Sequence, residues 1–181
     1  GVGGVRAIRA FTALEGHPAP DVFHMNEGHA GFLGLERIRE FMDGDGLDFD
    51  TALAVVRAST LFTTHTPVPA GIDRFPVELV ERYFGDYNGA SMLPGVPVGR
   101  VLGFGAESDD AGKFNMAHMG LRLAQRSNGV SQLHGEVSRA MFEELWPGFD
   151  SAEVPIGSIT NGVHGPSWFA PEWAQLGREI T

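Results

Sequence analysis

The sequence predicts an α/β fold in which helices flank an open parallel sheet. Helical and extended segments alternate along the chain, and strands in such an order are joined by right-handed crossovers, which makes them parallel. Four predicted strands also end in polar residues. Because the carboxyl ends of parallel strands meet at one edge of a sheet, where open α/β proteins bind their ligands, we expect these polar residues to line one crevice.

The first half of the chain is predicted to hold three helices and two strands. Apolar residues at near-helical spacing indicate the helices, and short apolar runs indicate the strands. The predicted order is a helix over 5–16, a strand over 21–25, a helix over 30–42, a helix over 49–58 and a strand over 60–64. Asp48 stands where the third helix begins and is a suitable cap for its free amide groups.

The strand over 60–64 runs directly into the segment that we expect to carry the site. Pro67, Pro69 and Gly71 follow it, and such a segment can neither extend a helix nor rejoin a strand ladder. His65 should therefore be fixed at the carboxyl end of a strand, within reach of a ligand. The alternative is that His65 is a structural histidine whose hydrogen bonds are satisfied at the strand end.

The second half continues the pattern around a long glycine-rich loop. In order, we predict a helix from Phe75 to Gly85, a loop over 85–112 with one short helix over 98–104, a helix over 115–126, a strand over 129–133, a helix over 135–146, a strand over 156–160 and a last helix from Pro171. Asn161 and Gly162 form a tight turn after the last strand, because both residue types tolerate positive φ.

Composition excludes several classes of protein. The 181 residues carry a formal charge of −10 without a basic cluster, which argues against nucleic acid or an anionic membrane as a partner. No apolar run approaches the roughly 20 residues that a membrane span needs, and the N-terminus does not resemble a secretion signal, so we expect a cytoplasmic protein. Cysteine is absent, which excludes disulfides and thiolate metal sites.

The polar residues at the strand ends allow more than one chemistry. They are His24, Asn26, Glu27 and His29 at the first strand, Thr64 and His65 at the second, Ser131 and His134 at the third, and Thr160 and Asn161 at the fourth. A metal site at His24, Glu27 and His29 is disfavoured, because a strand-to-helix junction does not place three ligands on one face. Glu27 could act as a general base beside a histidine, or could stabilise the start of a helix. Ser131 and His134 are too close in sequence for a catalytic triad.

Four segments of the chain form an ordered set. They are residues 24–30 (His-Met-Asn-Glu-Gly-His-Ala), 63–71 (Thr-Thr-His-Thr-Pro-Val-Pro-Ala-Gly), 115–117 with 128–134, and 159–164 with Trp168. In sequence, order and spacing this set resembles the α-glucan phosphorylases, the family of glycogen, starch and maltodextrin phosphorylases. The first segment is similar to the form found in the shorter bacterial and archaeal branch, and the second to the segment that carries the family's active-site histidine. The resemblance covers the whole chain.

The resemblance implies a two-lobed glycosyltransferase with a Rossmann-like half on each side of a cleft. Residues 1–160 would be the carboxyl-side portion of the first lobe, and residues 161–181 would be the lobe junction and the start of the second lobe. The implied reaction transfers a terminal α-1,4-glucosyl unit of a glucan to inorganic phosphate and releases glucose 1-phosphate. Two alternatives from other classes remain: a lobe of a nucleotide-sugar glycosyltransferase, and a carbohydrate-binding domain without catalysis.

The resemblance also implies roles for four residues of this chain. His65 corresponds to the histidine that contacts the glucosyl unit at the cleavage point, and Asn161 to the asparagine that hydrogen-bonds the same sugar. Glu27 and His29 correspond to polar residues that border the pocket. The chain would thus supply one half of the sugar site.

The family uses pyridoxal phosphate, and its cofactor lysine and phosphate-binding residues belong to the second lobe. Lys113 is the one lysine of this chain and does not correspond to the cofactor lysine. We therefore expect the chain by itself to be inactive and to need the missing lobe as its partner. An isolated lobe should also expose apolar surface, at Trp168 and Trp173, and so be marginally stable or associate into a homo-oligomer.

Overall fold

A computed structural model describes residues 1–86 and 91–180, and its centre is a parallel sheet of four strands. The strands in chain order are β1 (Phe23–Asn26), β2 (Thr60–Thr64), β3 (Arg74–Pro76), β4 (Lys113–Asn115), β5 (Arg126–Gly129) and β6 (Ile156–Ser158). The sheet has the order β1-β2-β5-β6 with every neighbouring pair parallel, while β3 and β4 form a separate antiparallel pair. The predicted α/β fold on a parallel sheet is confirmed.

Helices make the connections between the strands of the sheet. They are α1 (Val2–Glu15), α2 (Phe32–Gly44), α3 (Phe49–Ala58), α4 (Val77–Phe84), α5 (Val98–Gly105), α6 (Met116–Leu123), α7 (Gln132–Met141), α8 (Gly165–Trp168) and α9 (Pro171–Ile180). The chain passes through α2 and α3 between β1 and β2, and through α7 between β5 and β6. Asp48 caps α3 as predicted, because its side chain accepts hydrogen bonds from the N–H groups of Asp50 and Thr51.

One face of the sheet is buried against helices. The buried side chains on this face include Phe23 and Met25 of β1, Phe62 of β2 and Ile156 of β6. Gly120 lets α6 approach this face closely, since a Cβ at position 120 would lie 2.5 Å from the Phe62 ring. The packing of α6 on β2 fixes the strand that leads to His65.

The opposite face of the sheet carries polar side chains. Residues alternate along β1, so that His24 and Asn26 are exposed while their neighbours are buried. The parallel register places these two residues beside Leu61 and Thr63 of β2. The site described below lies where this polar face meets the carboxyl edge of the sheet.

The strand predicted over 129–133 was wrong in position. The structure places β5 at Arg126–Gly129, and residues from Gln132 onward form α7. Val130 and Leu133 suggested a strand because they are the apolar residues of this stretch, yet Leu133 is exposed on α7. β5 consists of three polar residues and a glycine, and backbone pairing with β2 and β6 holds the strand in the sheet.

Two further predictions differ in detail. The helix predicted from Phe75 begins at Val77, because Arg74–Pro76 pairs with β4. The short helix predicted over 98–104 is α5, and it lies within the predicted long loop. Positions 87–90 of that loop lie outside the described residues.

The segment after β6 leaves the sheet. From Gly157 to Glu179, every residue whose exposure is described is exposed, including Trp168 at 77% and Trp173 at 67%. α8 and α9 therefore bury little of their surface. Over residues 1–86 and 91–180, no helix has the length and apolar character that crossing a membrane would require.

Candidate functional site

The carboxyl ends of the four parallel strands lie side by side at one edge of the sheet. Glu27 follows β1, His65 follows β2 and Val130 follows β5 directly. Asn161 comes shortly after β6, and its backbone N–H donates to the Val130 carbonyl over 3.0 Å, which keeps this segment beside the end of β5. The strand order thus brings three of the predicted site residues, Glu27, His65 and Asn161, to the same edge.

The Glu27 carboxylate accepts more hydrogen bonds than any other group at this edge that the structure describes. Its Oε1 accepts from the Gly28 N–H at 2.9 Å. Its Oε2 accepts from the N–H groups of His65 at 2.7 Å and Thr66 at 3.1 Å, and from the Thr66 hydroxyl at 3.0 Å. Hydrogen bonds to an ionised carboxylate are shorter and stronger than those between neutral groups. One side chain after β1 therefore anchors the first two residues of the loop after β2.

The backbone of Glu27 explains why a side chain is needed there. Its N–H donates to the Thr63 carbonyl at 2.8 Å, which continues the ladder between β1 and β2. The next bond of a parallel ladder would run from the His65 N–H to the Glu27 carbonyl. Glu27 instead has φ 76° and ψ 166°, and its carbonyl accepts from the Ala30 N–H. The His65 N–H therefore donates to Oε2 of the Glu27 side chain instead of to the Glu27 carbonyl.

This backbone conformation is strained for a residue with a side chain. Among the residues that the structure describes, Glu27 is the one residue other than glycine with positive φ. Such a conformation is essentially restricted to glycine and costs on the order of 1–3 kcal/mol. A glutamate persists at this position because its side-chain hydrogen bonds offset that cost.

The His65 ring is oriented by a neighbouring strand. Its Nε2 is in hydrogen-bond contact with the amide oxygen of Asn26, the last residue of β1. An amide oxygen only accepts, so Nε2 carries the proton and donates. In the neutral ring Nδ1 is then an acceptor. Because His65 is exposed, that acceptor is available to the hydroxyl group of a ligand.

A directed chain of hydrogen bonds crosses the polar face of the sheet beside this edge. The Thr63 hydroxyl donates to Asn128 Oδ1 at 3.0 Å, and it therefore accepts from His24 Nε2, which lies 2.8 Å away. Asn128 Nδ2 donates in turn to the Gly129 carbonyl at 3.1 Å. The three side chains belong to β1, β2 and β5, so the chain of bonds fixes the strands that carry the site.

The remaining predicted site residues, Asn161 and His29, are exposed. His65 and Asn161 follow β2 and β6, which are separated by β5 in the sheet. Two strand spacings are about 10 Å, so the backbones of β2 and β6 lie about that far apart. His29 belongs to a single helical turn after β1, next to Glu27 in the chain but with no part in the Glu27 hydrogen bonds.

Of the other arrangements noted in the sequence, Ser131 with His134 has a structural role. Ser131 Oγ accepts from the His134 N–H and so caps α7, and His134 Nδ1 accepts from the Val130 N–H. In the part of the chain that the structure describes, no cluster of three or more acidic or histidine side chains is arranged as metal ligands, and the Glu27 carboxylate accepts from backbone N–H groups instead.

The sequence did not reveal Thr66 as a member of the site, and it placed Asn26 at the strand end without revealing what Asn26 does there. Thr66 supplies both a backbone and a hydroxyl donor to Glu27, and Asn26 orients the His65 ring. Glu27 contacts the backbone of His65, and not its ring as a general base would. The signal was present in the parallel pairing of β1 and β2, which places the residues after both strands side by side.

Together, the fold and this edge define an open α/β protein with a candidate ligand site at the carboxyl ends of its parallel strands. No family model matches the chain. It is 70% identical to glycogen phosphorylase of Mycobacterium tuberculosis over 99% of its length, 42% identical to maltodextrin phosphorylase of Thermococcus litoralis over 97%, and 37% identical to glycogen phosphorylase of Aquifex aeolicus over 87%. The chain belongs to the α-glucan phosphorylase family. It spans 21%, 20% and 22% of the length of these three relatives, respectively.

Proposed function

We propose that this chain is part of an α-1,4-glucan phosphorylase, a cytoplasmic glycosyltransferase that releases glucose 1-phosphate from glucan ends with inorganic phosphate. The observation that carries the proposal is the identity of 70% and 42% to a glycogen and a maltodextrin phosphorylase over nearly the whole chain. We assign residues 1–160 to the carboxyl-side portion of the first lobe. Residues 161–181 belong to the lobe junction and the start of the second lobe, and they include Thr181, which lies outside the described residues.

In this proposal the chain supplies one half of the glucosyl site. His65 and Asn161 contact the sugar at the cleavage point, and Glu27 and His29 border the pocket. The geometry supports the assignment, because Glu27, His65 and Asn161 follow three parallel strands at one edge of the sheet and the side chains of His65 and Asn161 are exposed there.

These residues act through hydrogen bonds. His65 Nδ1 accepts from a sugar hydroxyl, and the side-chain amide of Asn161 can both donate and accept. Groups that are already held in place where charge develops stabilise a transition state more than the ground state. The contacts of Asn26 with the ring of His65 and of Glu27 with its backbone hold this residue before the sugar binds.

In this proposal the full-length protein binds pyridoxal phosphate, and the residues that bind it lie outside this chain. The cofactor is held through a lysine amine, which must be activated by desolvation or by a cationic neighbour. Lys113 is instead exposed in β4 and follows Asp109 and Asp110 closely in the chain. The residues present here therefore do not form its binding site.

The test is phosphorolysis by the full-length protein that carries this sequence. Maltodextrin with inorganic phosphate should release glucose 1-phosphate, and omission of phosphate provides the control. A requirement for a nucleotide sugar as the donor would favour the other class of glycosyltransferase. Binding of glucan without any turnover would favour a carbohydrate-binding protein.

A further inference from the structure

We propose that Glu27 is a positioning residue of the glucosyl site, whose carboxylate replaces a backbone carbonyl in the ladder between β1 and β2 and so holds His65 at the carboxyl edge. The inference rests on the proposed function, because it takes His65 as the residue that contacts the sugar. Beyond the proposed function, it identifies the Glu27 carboxylate as the group that fixes His65 in place and says how that carboxylate acts.

Glu27 acts on the loop after β2, and not on a ligand. Its Oε1 is engaged by Gly28, and its Oε2 by the donors of His65 and Thr66. The cavity beside Glu27 measures about 20 Å³ and is bounded by Thr66 and Met116 among others. That volume holds about one water molecule and excludes a sugar ring. Glu27 therefore reaches the reaction through His65.

The start of the loop depends on this anchor. Pro67 and Pro69 have no N–H to donate. The N–H groups of His65 and Thr66 therefore make the backbone hydrogen bonds at the start of this loop. The next backbone bond, from the Gly71 N–H to the Val68 carbonyl at 3.0 Å, closes the loop on itself. The far end is held separately, because Arg74 donates to the Pro69 carbonyl at 2.7 Å.

The strained backbone of Glu27 provides a variant that separates positioning from folding. Glycine adopts φ 76° and ψ 166° without strain, so Glu27→Gly removes the carboxylate and retains the backbone path. Glu27→Gln keeps the shape and one acceptor oxygen. Thr66→Val removes the hydroxyl donor to Oε2 with little change in shape. Glu78→Gln, at an exposed position in the first turn of α4, is the matched control.

Kinetics of the full-length protein give the first measurement. Glu27→Gly should lower kcat for phosphorolysis by about 10²-fold, because a misplacement of about 1 Å at a reacting site has that effect. The KM for maltodextrin should stay within about threefold, since the contacts of the other sugar units are retained. Glu27→Gln should recover part of the loss, Thr66→Val should lower kcat by a smaller factor than Glu27→Gly, and Glu78→Gln should match the wild type.

Amide hydrogen exchange of the same proteins gives the second measurement, which does not depend on activity. A peptide that covers residues 63–71 should exchange faster in Glu27→Gly than in the wild type, because the amides of His65 and Thr66 lose their acceptor. A peptide from α7 should keep its rate, which shows that the fold is intact.

The two measurements separate the ways in which the inference can fail. If the amide exchange rate of the peptide over residues 63–71 were the same in Glu27→Gly and the wild type, Glu27 would not be the group that holds the loop. Faster exchange with unchanged kcat would overturn its part in the reaction and leave the proposed function standing. If the wild-type protein did not phosphorolyse glucan, the proposed function would fail and the catalytic part of this inference with it, while the exchange rates would still decide whether Glu27 holds the loop.

Discussion

His65 is held at both its backbone and its ring, although it is exposed. Glu27 accepts from its N–H at 2.7 Å, and Asn26 accepts from Nε2 of the ring. The two contacts come from consecutive residues at the end of β1. The entropy cost of fixing the ring is therefore met when the chain folds, and it does not have to be met again when a ligand binds.

Under the proposed function, replacement of His65 by alanine in the full-length protein should lower kcat by about 10²-fold or more with little change in glucan binding, because the proposed hydrogen bond to the sugar is stronger in the transition state. Steady-state kinetics with maltodextrin measure this. Asn161→Ala tests the same proposed pocket from the end of β6. His17→Ala, at an exposed position after α1, is the control. A kcat of His65→Ala within a few-fold of the wild type would return His65 to a structural role.

Away from the site, the buried Glu36 holds α1 against α2. Its carboxylate accepts two hydrogen bonds from Arg6, each of 2.9 Å, and one of 2.9 Å from Arg39. Burial by itself raises the pKa of the Glu36 carboxyl, but the hydrogen bonds from Arg6 and Arg39 outweigh burial, and the pKa lies below its ordinary value of 4.5.

Glu36 should therefore make the fold sensitive to acid. A carboxyl whose pKa is lower in the folded state stabilises the fold fully above its unfolded pKa of 4.5, and this contribution is lost as the pH falls through the folded value. Glu36→Gln should lower the free energy of unfolding near neutral pH by about 1.5–3 kcal/mol and flatten its fall below pH 4.5. Urea unfolding over a pH series measures both effects, with the exposed Glu15→Gln as control. Equal acid slopes in the wild type and Glu36→Gln would contradict the assignment.

At the scale of elements, the sequence predicts best where a strand packs against helices. β2 has the bounds that were predicted, because its short apolar run includes Phe62, which is fully buried against the helices. β5 was misplaced because backbone pairing holds it and its side chains give no apolar signal. The pair of β3 and β4 was missed because each strand has three residues, too few to show a period.

At the candidate site, too, the sequence does not show features that depend on the backbone. The strand ends that carry it could be predicted, since turn residues and polar side chains mark them. The role of Glu27 could not, because it depends on a backbone with φ 76°, and no property of a glutamate in the sequence signals that conformation. Contacts between the segments after β1 and β2 require the register of the sheet, which only the structure provides.

The contact of α6 with β2 gives a prediction for the fold. Gly120→Ala places a methyl group 2.5 Å from Cε2 of Phe62, and the free energy of unfolding should fall by about 1–3 kcal/mol as ring and helix move apart. Gly103→Ala in α5 is the matched control, because no atom outside the backbone of its own helix lies within 4 Å of the new Cβ. It should raise the free energy of unfolding by up to about 1 kcal/mol, because alanine favours a helix. Urea unfolding of both variants measures the difference, and a loss at Gly103→Ala equal to that at Gly120→Ala would refute this account of the packing.

For the molecule as a whole, the exposed segment after β6 has the properties of an interface. Trp168 and Trp173 are 77% and 67% exposed, and Phe169 and Leu176 in the same segment are exposed as well. Apolar surface of this kind is usually covered by a partner. The segment agrees with the proposed assignment of residues 161–181 to a lobe junction, and self-association of the chain through it stays a prediction.

The chain alone should neither hold pyridoxal phosphate nor phosphorolyse glucan. A Schiff base to a side chain needs a lysine amine, and Lys113 is the one lysine in the sequence. It is exposed in β4, close in sequence to two aspartates, a setting that does not desolvate the amine. Binding of a catalytic phosphate would also need clustered cationic donors at the carboxyl edge. The hydrogen bonds described at that edge are made by carboxylate, amide, imidazole and hydroxyl groups, and not by lysine or arginine side chains.

The experiment is to incubate the chain with pyridoxal phosphate, reduce with borohydride and map any adduct, while release of glucose 1-phosphate from maltodextrin is assayed in parallel. We expect no stoichiometric adduct and no turnover above the blank, because the groups that bind the cofactor and the phosphate lie outside this chain in the proposed enzyme. Lys113→Arg is the control for any nonspecific adduct. A stoichiometric adduct on Lys113 that the substitution abolishes, or turnover by the chain alone, would mean that these 181 residues carry more of the active site than half of a sugar pocket.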